Sequence, residues 1–283
     1  MFQVLVTGLI ICSLLIFSDA DATQLNSKHV FVIRDDTGEV LLDKDGEAEV
    51  PIASLTKLMT AMVILDCHPD MQEPISIKAE DVDQLKHSLS HIPVGTTLTR
   101  AEMLRVALMA SDNRAAASLA RTYPGGNFGF IKAVNNKIRE LGLHNTVIHE
   151  ATGLSPQNTS TAADLAKMAL AASRYPEIVR ITTNRTNSIR MNGRNYTLHN
   201  TNRLVGSPGW DVLLSKTGFT NEAGHCLVMR IRQAGDQITM VLLNARANSS
   251  RVFDARTVQS DLERIAIGRN QSGHNALGRT TVR

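Results

Sequence analysis

Aromatic residues are scarce: one Trp, three Tyr and seven Phe make up 4% of the 283 residues. So few rings, with no long run of basic residues, exclude a stacking platform for single-stranded nucleic acid. An excess of one charge is also missing, since 30 Lys and Arg stand against 27 Asp and Glu. The resulting net charge of +3 leaves no electrostatic footprint of a nucleic-acid binder. Cysteine is limited to Cys12, Cys67 and Cys226, too few for a disulfide framework. Whether Cys67 and Cys226 pair stays open from the sequence, and two buried free thiols is the plainer expectation. No Cys-x-x-Cys, Gly-x-Ser-x-Gly or glycine-rich phosphate loop occurs. Dithiol redox chemistry, the strand-to-helix nucleophile elbow and phosphate cradling therefore have no support. His144 and His149 have no carboxylate arranged with them for zinc, so neither a metal nor a cofactor is expected.

Long apolar runs are confined to the N-terminus. Val4 to Phe17 is interrupted only by Thr7, Gly8, Cys12 and Ser13, and is too short to span a bilayer comfortably. Ala20-Asp21-Ala22 fits a small-x-small cleavage site, so residues 1–22 read as an export signal and Thr23 as the first mature residue. Met1-Phe2-Gln3 lacks the usual basic residue, and Ile11 before Cys12 argues against lipidation. With the signal removed, no stable transmembrane anchor is expected.

The remainder, at 43% apolar residues overall, is ample for a sizeable core. His29 to Ile33 and Val40 to Leu42 are β-rich runs around the turn Asp35-Asp36-Thr37-Gly38. A helix is predicted from the Ser54 region to about Asp66. Residues from about 75 to 200 read as a mostly helical insertion. Its helices lie over Met103 to Met109 behind the capping box Thr99 to Glu102, then Arg114 to Arg121, Phe128 to Leu141, and from Thr161 to before Pro176. Arg185, Arg190 and Arg194 fall in a polar stretch compatible with a solvated hairpin. Val212 to Leu214, Cys226 to Ile231 and Ile238 to Leu243 predict three adjacent antiparallel strands, and Arg251 to Ile267 a final helix. The fold class is therefore α+β. Strands from both chain ends share one antiparallel sheet flanked by helices, with a helical lobe inserted. The expected division is a catalytic domain over 23–268 and a flexible tail over 269–283.

The chemistry concentrates in three short motifs. Ser54 and Lys57 stand three apart at the front of the apolar run Leu58 to Leu65, which on a helix places both side chains on one face. A serine hydroxyl becomes a competent nucleophile when a neighbour takes its proton, and a lysine does so where its neutral form is favoured. Ser111-Asp112-Asn113 falls in a predicted turn, and Lys216-Thr217-Gly218 follows a predicted strand. By chance alone a Ser-x-x-Lys arises about once in a chain of this length, whereas Lys-Thr-Gly is far rarer. The weight rests on all three occurring in this order. Ser54 is then the nucleophile and Lys57 its base, with Lys216 as a second cation lowering the Lys57 pKa. Ser111 bridges between Lys57 and the leaving amine, and Asn113 holds a substrate amide. Lys216 and Thr217 suit a carboxylate. Gly218 lets a substrate backbone approach, and Phe219 to Asn221 can pair with an extended peptide. The backbone N–H groups of Ser54 and Phe219 would face the oxyanion.

These motifs, with Ala53 through Asp66, Asn113 through Ala120, Tyr123-Pro124-Gly125-Gly126 and Lys216 through Arg230, resemble the low-molecular-mass penicillin-binding proteins of the D-alanyl-D-alanine carboxypeptidase family. The likeness covers nearly all of the mature chain. It implies a penicillin-binding protein/β-lactamase-like transpeptidase fold with a five-stranded antiparallel sheet. It implies Ser54 as acyl-enzyme nucleophile, Lys57 as proton acceptor, Ser111 as second catalytic serine and Lys216 as substrate-binding. It further implies a Gram-negative periplasm, peptidoglycan stem peptides as substrate and β-lactams as covalent inhibitors. Asp112 stands where Glu is expected in the nearest relatives. The few residues after the last helix leave no room for the second domain and amphipathic anchor of the carboxypeptidase branch, which favours the endopeptidase branch. The expected activity is thus a serine DD-peptidase acting on the D-alanyl cross-link, with carboxypeptidase action on terminal D-Ala as the alternative. A serine β-lactamase is disfavoured because no Glu-x-x-Leu-Asn element occurs, and Glu150 has the wrong context. From another class, a β-lactam sensor or wall scaffold that acylates without turnover is the rival.

Overall fold

The computed structural model describes residues 24–90 and 92–277. The export segment expected over 1–22 lies outside them. The chain opens with strands β1 (His29–Arg34), β2 (Val40–Lys44) and β3 (Val50–Pro51). A 3₁₀ turn, Ala53–Leu55, leads directly into α1 (Thr56–Asp66). The lobe follows with β4 (Pro74–Ser76), β5 (Thr97–Thr99), α2 (Arg100–Met109), α3 (Asn113–Arg121), α4 (Gly126–Glu140), β6 (Thr159–Ser160), α5 (Ala162–Ala172) and α6 (Pro176–Thr182). The hairpin β7 (Thr186–Met191) and β8 (Arg194–His199) closes it, carrying Arg190 and Arg194. Strands β9 (Asp211–Thr220), β10 (Gly224–Gln233) and β11 (Asp236–Ala245) and helix α7 (Asn248–Leu277) complete the chain.

The predicted sheet is present, in the order β2-β1-β11-β10-β9 with every pairing antiparallel. Both of its faces are covered, which is why its strands read as near-continuous apolar runs. Val30, Val32, Leu227, Met229, Met240 and Leu242 pack against Ala255, Val258 and Leu262 of α7. Their alternates Ile33, Val228, Val241 and Leu243 pack on the other face, in the core that includes Leu58, Met59 and Met62 of α1. A period of two along each strand thus divides one sheet between two cores.

Helix α1 is buried on every side from Thr56 to Ile64, so it has no polar face to read as amphipathic. The Thr99 capping box forms as expected, with the Thr99 hydroxyl on the Glu102 amide and the Glu102 carboxylate on the Thr99 amide. Two expectations are corrected. Strand β9 does not stop at Leu214 but runs through Lys216-Thr217-Gly218 to Thr220. Ser215, Lys216, Thr217 and Thr220 are buried while polar, so hydrophobic patterning misses them. Helix α7 continues past Ile267 to Leu277.

Candidate active site

The nucleophile candidate sits in a strained turn at the entrance to a buried helix. Ala53 adopts φ +47°, in the left-handed region that a non-glycine residue occupies at a cost of order 1–3 kcal/mol. The turn is held by Leu55 N–H on the Ile52 carbonyl at 3.2 Å and the Thr56 hydroxyl on the Ala53 carbonyl at 2.8 Å. Two glycines let other backbone close around it. A Cβ on Gly153, at φ +84°, would lie 1.9 Å from the Ala53 carbonyl oxygen and 2.9 Å from the Ser54 nitrogen. A Cβ on Gly218 would lie 3.0 Å from the Ile52 oxygen and 3.1 Å from the Ser54 nitrogen. The bare face of Gly218 thus meets the Ser54 turn, and β9 runs directly alongside Ser54.

Lys57 is only 1% exposed. Its Nζ lies 2.7 Å from Ser54 Oγ, 2.7 Å from Asn113 Oδ1 and 2.7 Å from the Thr152 carbonyl oxygen. Two of these partners can only accept. A protonated ammonium donates to all three, whereas a neutral amine has two N–H groups and one lone pair. When Lys57 loses its proton, the two N–H groups stay on Asn113 and Thr152. The lone pair is left facing the Ser54 hydroxyl, the one partner able to reverse the direction of its hydrogen bond. The polarity of the cage therefore aims the lone pair of a neutral Lys57 at the Ser54 hydroxyl.

Burial supplies the proton loss. It pulls the Lys57 amine down to about 8, against the opposing carboxylate charges of Glu150 and Asp112. Lys216 is itself 1% exposed, and its amine is pushed well below the usual lysine range by burial, then by the charges of Lys57 and Arg251. Acylation of Ser54 by penicillin should accordingly speed up with pH through about 8 and level off above it, because the reacting form is the neutral amine. Stopped-flow acylation rates between pH 6 and 10 check this; a rate that falls across that limb contradicts the role of Lys57.

The second motif occupies the break between α2 and α3. Ser111 has φ +59° and its Oγ accepts from Lys216 Nζ at 2.8 Å, so the structure pairs it with Lys216. Lys216 also donates to the Thr217 carbonyl at 2.8 Å. Asp112 turns away from the cleft: it caps α3 through the Ala115 amide at 3.0 Å and accepts from Ser90 Oγ at 2.7 Å. Asn113 opens α3 and points its amide oxygen at Lys57 and its Nδ2 at Ser88 Oγ, 2.8 Å away. Thr217 Oγ1 bonds Thr201 Oγ1 at 2.6 Å. Phe219 is 54% exposed and stacks on His225 with ring centroids 4.3 Å apart, which gives His225 a packing partner. Strand β9 forms the edge of the sheet, leaving its outer side for an added strand.

All eight sequence-predicted positions thus lie along the meeting of β9, the Ser54 turn and the α2–α3 break. Two supporting residues, Thr152 and Asn158, escaped the sequence reading, and Glu150, set aside there as a base, joins them in a supporting role. The Glu150 carboxylate accepts from the amides of Thr152 at 2.6 Å and Gly153 at 2.7 Å, and from Asn158 Nδ2 at 3.0 Å. Asn158 also bonds the Glu150 carbonyl at 2.9 Å and Thr56 Oγ1 at 3.2 Å. This network fixes the loop that carries the Thr152 carbonyl onto Lys57. It also commits the Glu150 oxygens to backbone amides, leaving that carboxylate poorly placed to activate a hydrolytic water. Cys67 and Cys226 are both free thiols, Cys226 buried and Cys67 half-buried. Burial pushes the Cys226 thiol up to about 11, so it is inert at neutral pH.

The family model described as D-alanyl-D-alanine carboxypeptidase matches residues 17–247. The chain is 42% identical over 242 residues to a D-alanyl-D-alanine endopeptidase of Pseudomonas aeruginosa, covering 85% of this chain and 78% of that one. It is 39% identical over 246 residues to the D-alanyl-D-alanine endopeptidase of Escherichia coli, covering 86% and 79%. Among solved structures, the Streptomyces K15 DD-transpeptidase superposes with a TM-score of 0.78 at 26% identity, covering 84% of this chain and 97% of that one. Penicillin-binding protein D2 of Listeria monocytogenes in its cefotaxime-bound form does so with a TM-score of 0.75 at 27% identity, with the same coverages.

Proposed function

The chain belongs to the D-alanyl-D-alanine carboxypeptidase family, and from that premise we propose that it cleaves the D-alanyl cross-link of peptidoglycan through an acyl-enzyme on Ser54. The observation that carries the mechanism is the polarity of the Lys57 cage, with two obligate acceptors and one hydroxyl. Lys57 takes the Ser54 proton as Oγ attacks the D-alanine carbonyl. The Ser54 and Phe219 amides receive the oxyanion, where one such donor is worth about 3 kcal/mol. Lys216, on β9, and Ser111, in the α2–α3 break, are bonded to each other across the cleft. Lys216 takes up a proton when an anionic substrate enters beside it. Ser111 gives its hydroxyl proton to the leaving amine while taking that proton from Lys216, to which it is bonded. Lys57 loses the Ser54 proton to solvent, then takes one from the attacking water and returns it to Ser54 Oγ. Asn113, with one Nδ2 hydrogen on Ser88, keeps the other for a substrate carbonyl. Water then releases the acyl group.

The relatives named endopeptidase support a substrate with a large leaving group, the diamino acid of a second stem. A periplasmic site of action, with residues 1–22 as export signal, follows from peptidoglycan as target. Residues 23–268 form the catalytic domain in this reading. The test is incubation with purified cross-linked muropeptide dimers and with pentapeptide monomers, read by mass spectrometry. Conversion of dimer to monomer by the wild type and not by Ser54→Ala is the expected result. Loss of one D-Ala from the pentapeptide with dimers untouched makes the enzyme a carboxypeptidase. No conversion of either, with penicillin still adding its mass, makes it a sensor.

A further inference from the structure

One segment outside the three motifs reaches across the cleft. Residues 83–90 hang from the lobe, between the 3₁₀ turn Ala79–Asp81 and β5. Their path is preformed: the Asp83 carboxylate accepts the amides of Leu85 at 2.8 Å, Lys86 at 3.0 Å and Ser88 at 2.8 Å. On the lobe side the segment is pinned to the second motif by Ser88 on Asn113 and Ser90 on Asp112. Just beyond it, Arg114 donates to the Ile92 carbonyl at 2.8 Å. On the far side Lys86 makes an ion pair with Glu222, in the turn between β9 and β10. Among the described residues no other ion pair joins this segment to the sheet. Glu222 lies two residues past Thr220, where β9, the strand along which an extended acyl donor would pair, comes to its end.

We propose that residues 83–90 are a strap that selects acyl donors by length, with the Lys86–Glu222 pair closing the end of the donor groove. This rests on the reading of the site as a peptidase of peptidoglycan. A donor long enough to pair along the end of β9, past Phe219 and Thr220, meets the ion pair and must displace it. A β-lactam reaches Ser54 without extending that far. The asymmetry of the anchoring sets the direction of opening. The lobe side is held by several partly buried bonds, and the sheet side by one pair whose side chains are 28% and 39% exposed. Such a pair is screened by salt and is the contact that yields first.

The test compares Lys86→Met, Glu222→Gln and the exchange K86E/E222K with the wild type on two reactions. These are kcat/KM for a cross-linked muropeptide dimer and the second-order rate of acylation by benzylpenicillin. Each single variant should raise the muropeptide value about 2- to 5-fold, the range open to an exposed pair, with penicillin acylation unchanged. The exchange should return towards wild type. Raising salt should speed the wild type on muropeptide and leave the single variants unmoved. Muropeptide rates that stay level or fall in the single variants, or that change in parallel with penicillin acylation, overturn the strap alone. A wild type that takes up penicillin but cleaves no muropeptide overturns the functional reading and the strap with it.

Discussion

Lys57→Met should slow acylation of Ser54 by penicillin about 10²- to 10⁴-fold, the usual contribution of a positioned general base. Methionine roughly matches the lysine stem and fills the same buried channel, so the loss reports the amine and not a cavity. It leaves Asn113 Oδ1 and the Thr152 carbonyl without their shared donor, which costs stability as well. Melting temperature and circular dichroism, measured alongside, show whether the variant is folded. Lys57→Arg should give no rescue, because a guanidinium keeps its proton at any workable pH and cannot accept one from Ser54. The acid limb expected near pH 8 should vanish in both variants. A Lys57→Met protein that is folded and acylates within tenfold of wild type contradicts the assignment of the base.

Gly153→Ala should cost about as much without touching a reacting group. The added methyl would sit 1.9 Å from the Ala53 carbonyl oxygen and 2.3 Å from its carbon, and both are backbone atoms that cannot swing aside. The Ser54 turn or the Thr152 carbonyl has to move, and a shift of about 1 Å in a reacting group is worth about 10²-fold in rate. Gly95→Ala is the matched control. Gly95 also has a left-handed backbone, at φ +88°, but nothing lies within 4 Å of its Cβ position. It should carry the backbone strain alone and leave acylation unchanged. Equal losses in Gly95→Ala and Gly153→Ala would mean that strain, and not the close approach to Ser54, is what matters.

The sheet and most helices are legible because burial leaves a periodic mark on the sequence. Val30 and Val32 against α7, and Leu227 and Met229 beside them, are apolar for that reason alone. The three motifs are legible for a different reason, as short combinations whose order is improbable by chance. What lies between these two signals is lost. Lys216 and Thr217 are buried strand residues that are polar, so hydrophobic patterning ends β9 too early. Glu150, Asn158 and Thr152 act largely through backbone amides and carbonyls, whose partners are set by loop path and not by residue type. The pairing of Ser111 with Lys216 could not be read from spacing, since 105 residues separate them. The burial that lowers Lys57 has no sequence counterpart either, because a lysine inside an apolar helix looks the same whether its face is buried or solvated.

The most direct measurement is peptide mapping of the purified chain after exposure to benzylpenicillin, with Ser54→Ala run in parallel. A single adduct of the drug's full mass on the Ser54 hydroxyl, absent from the alanine variant, is the result predicted by a nucleophile held 2.7 Å from the Lys57 amine. An adduct on Ser111, or one that persists in Ser54→Ala, would contradict it and move the nucleophile to the other wall of the cleft.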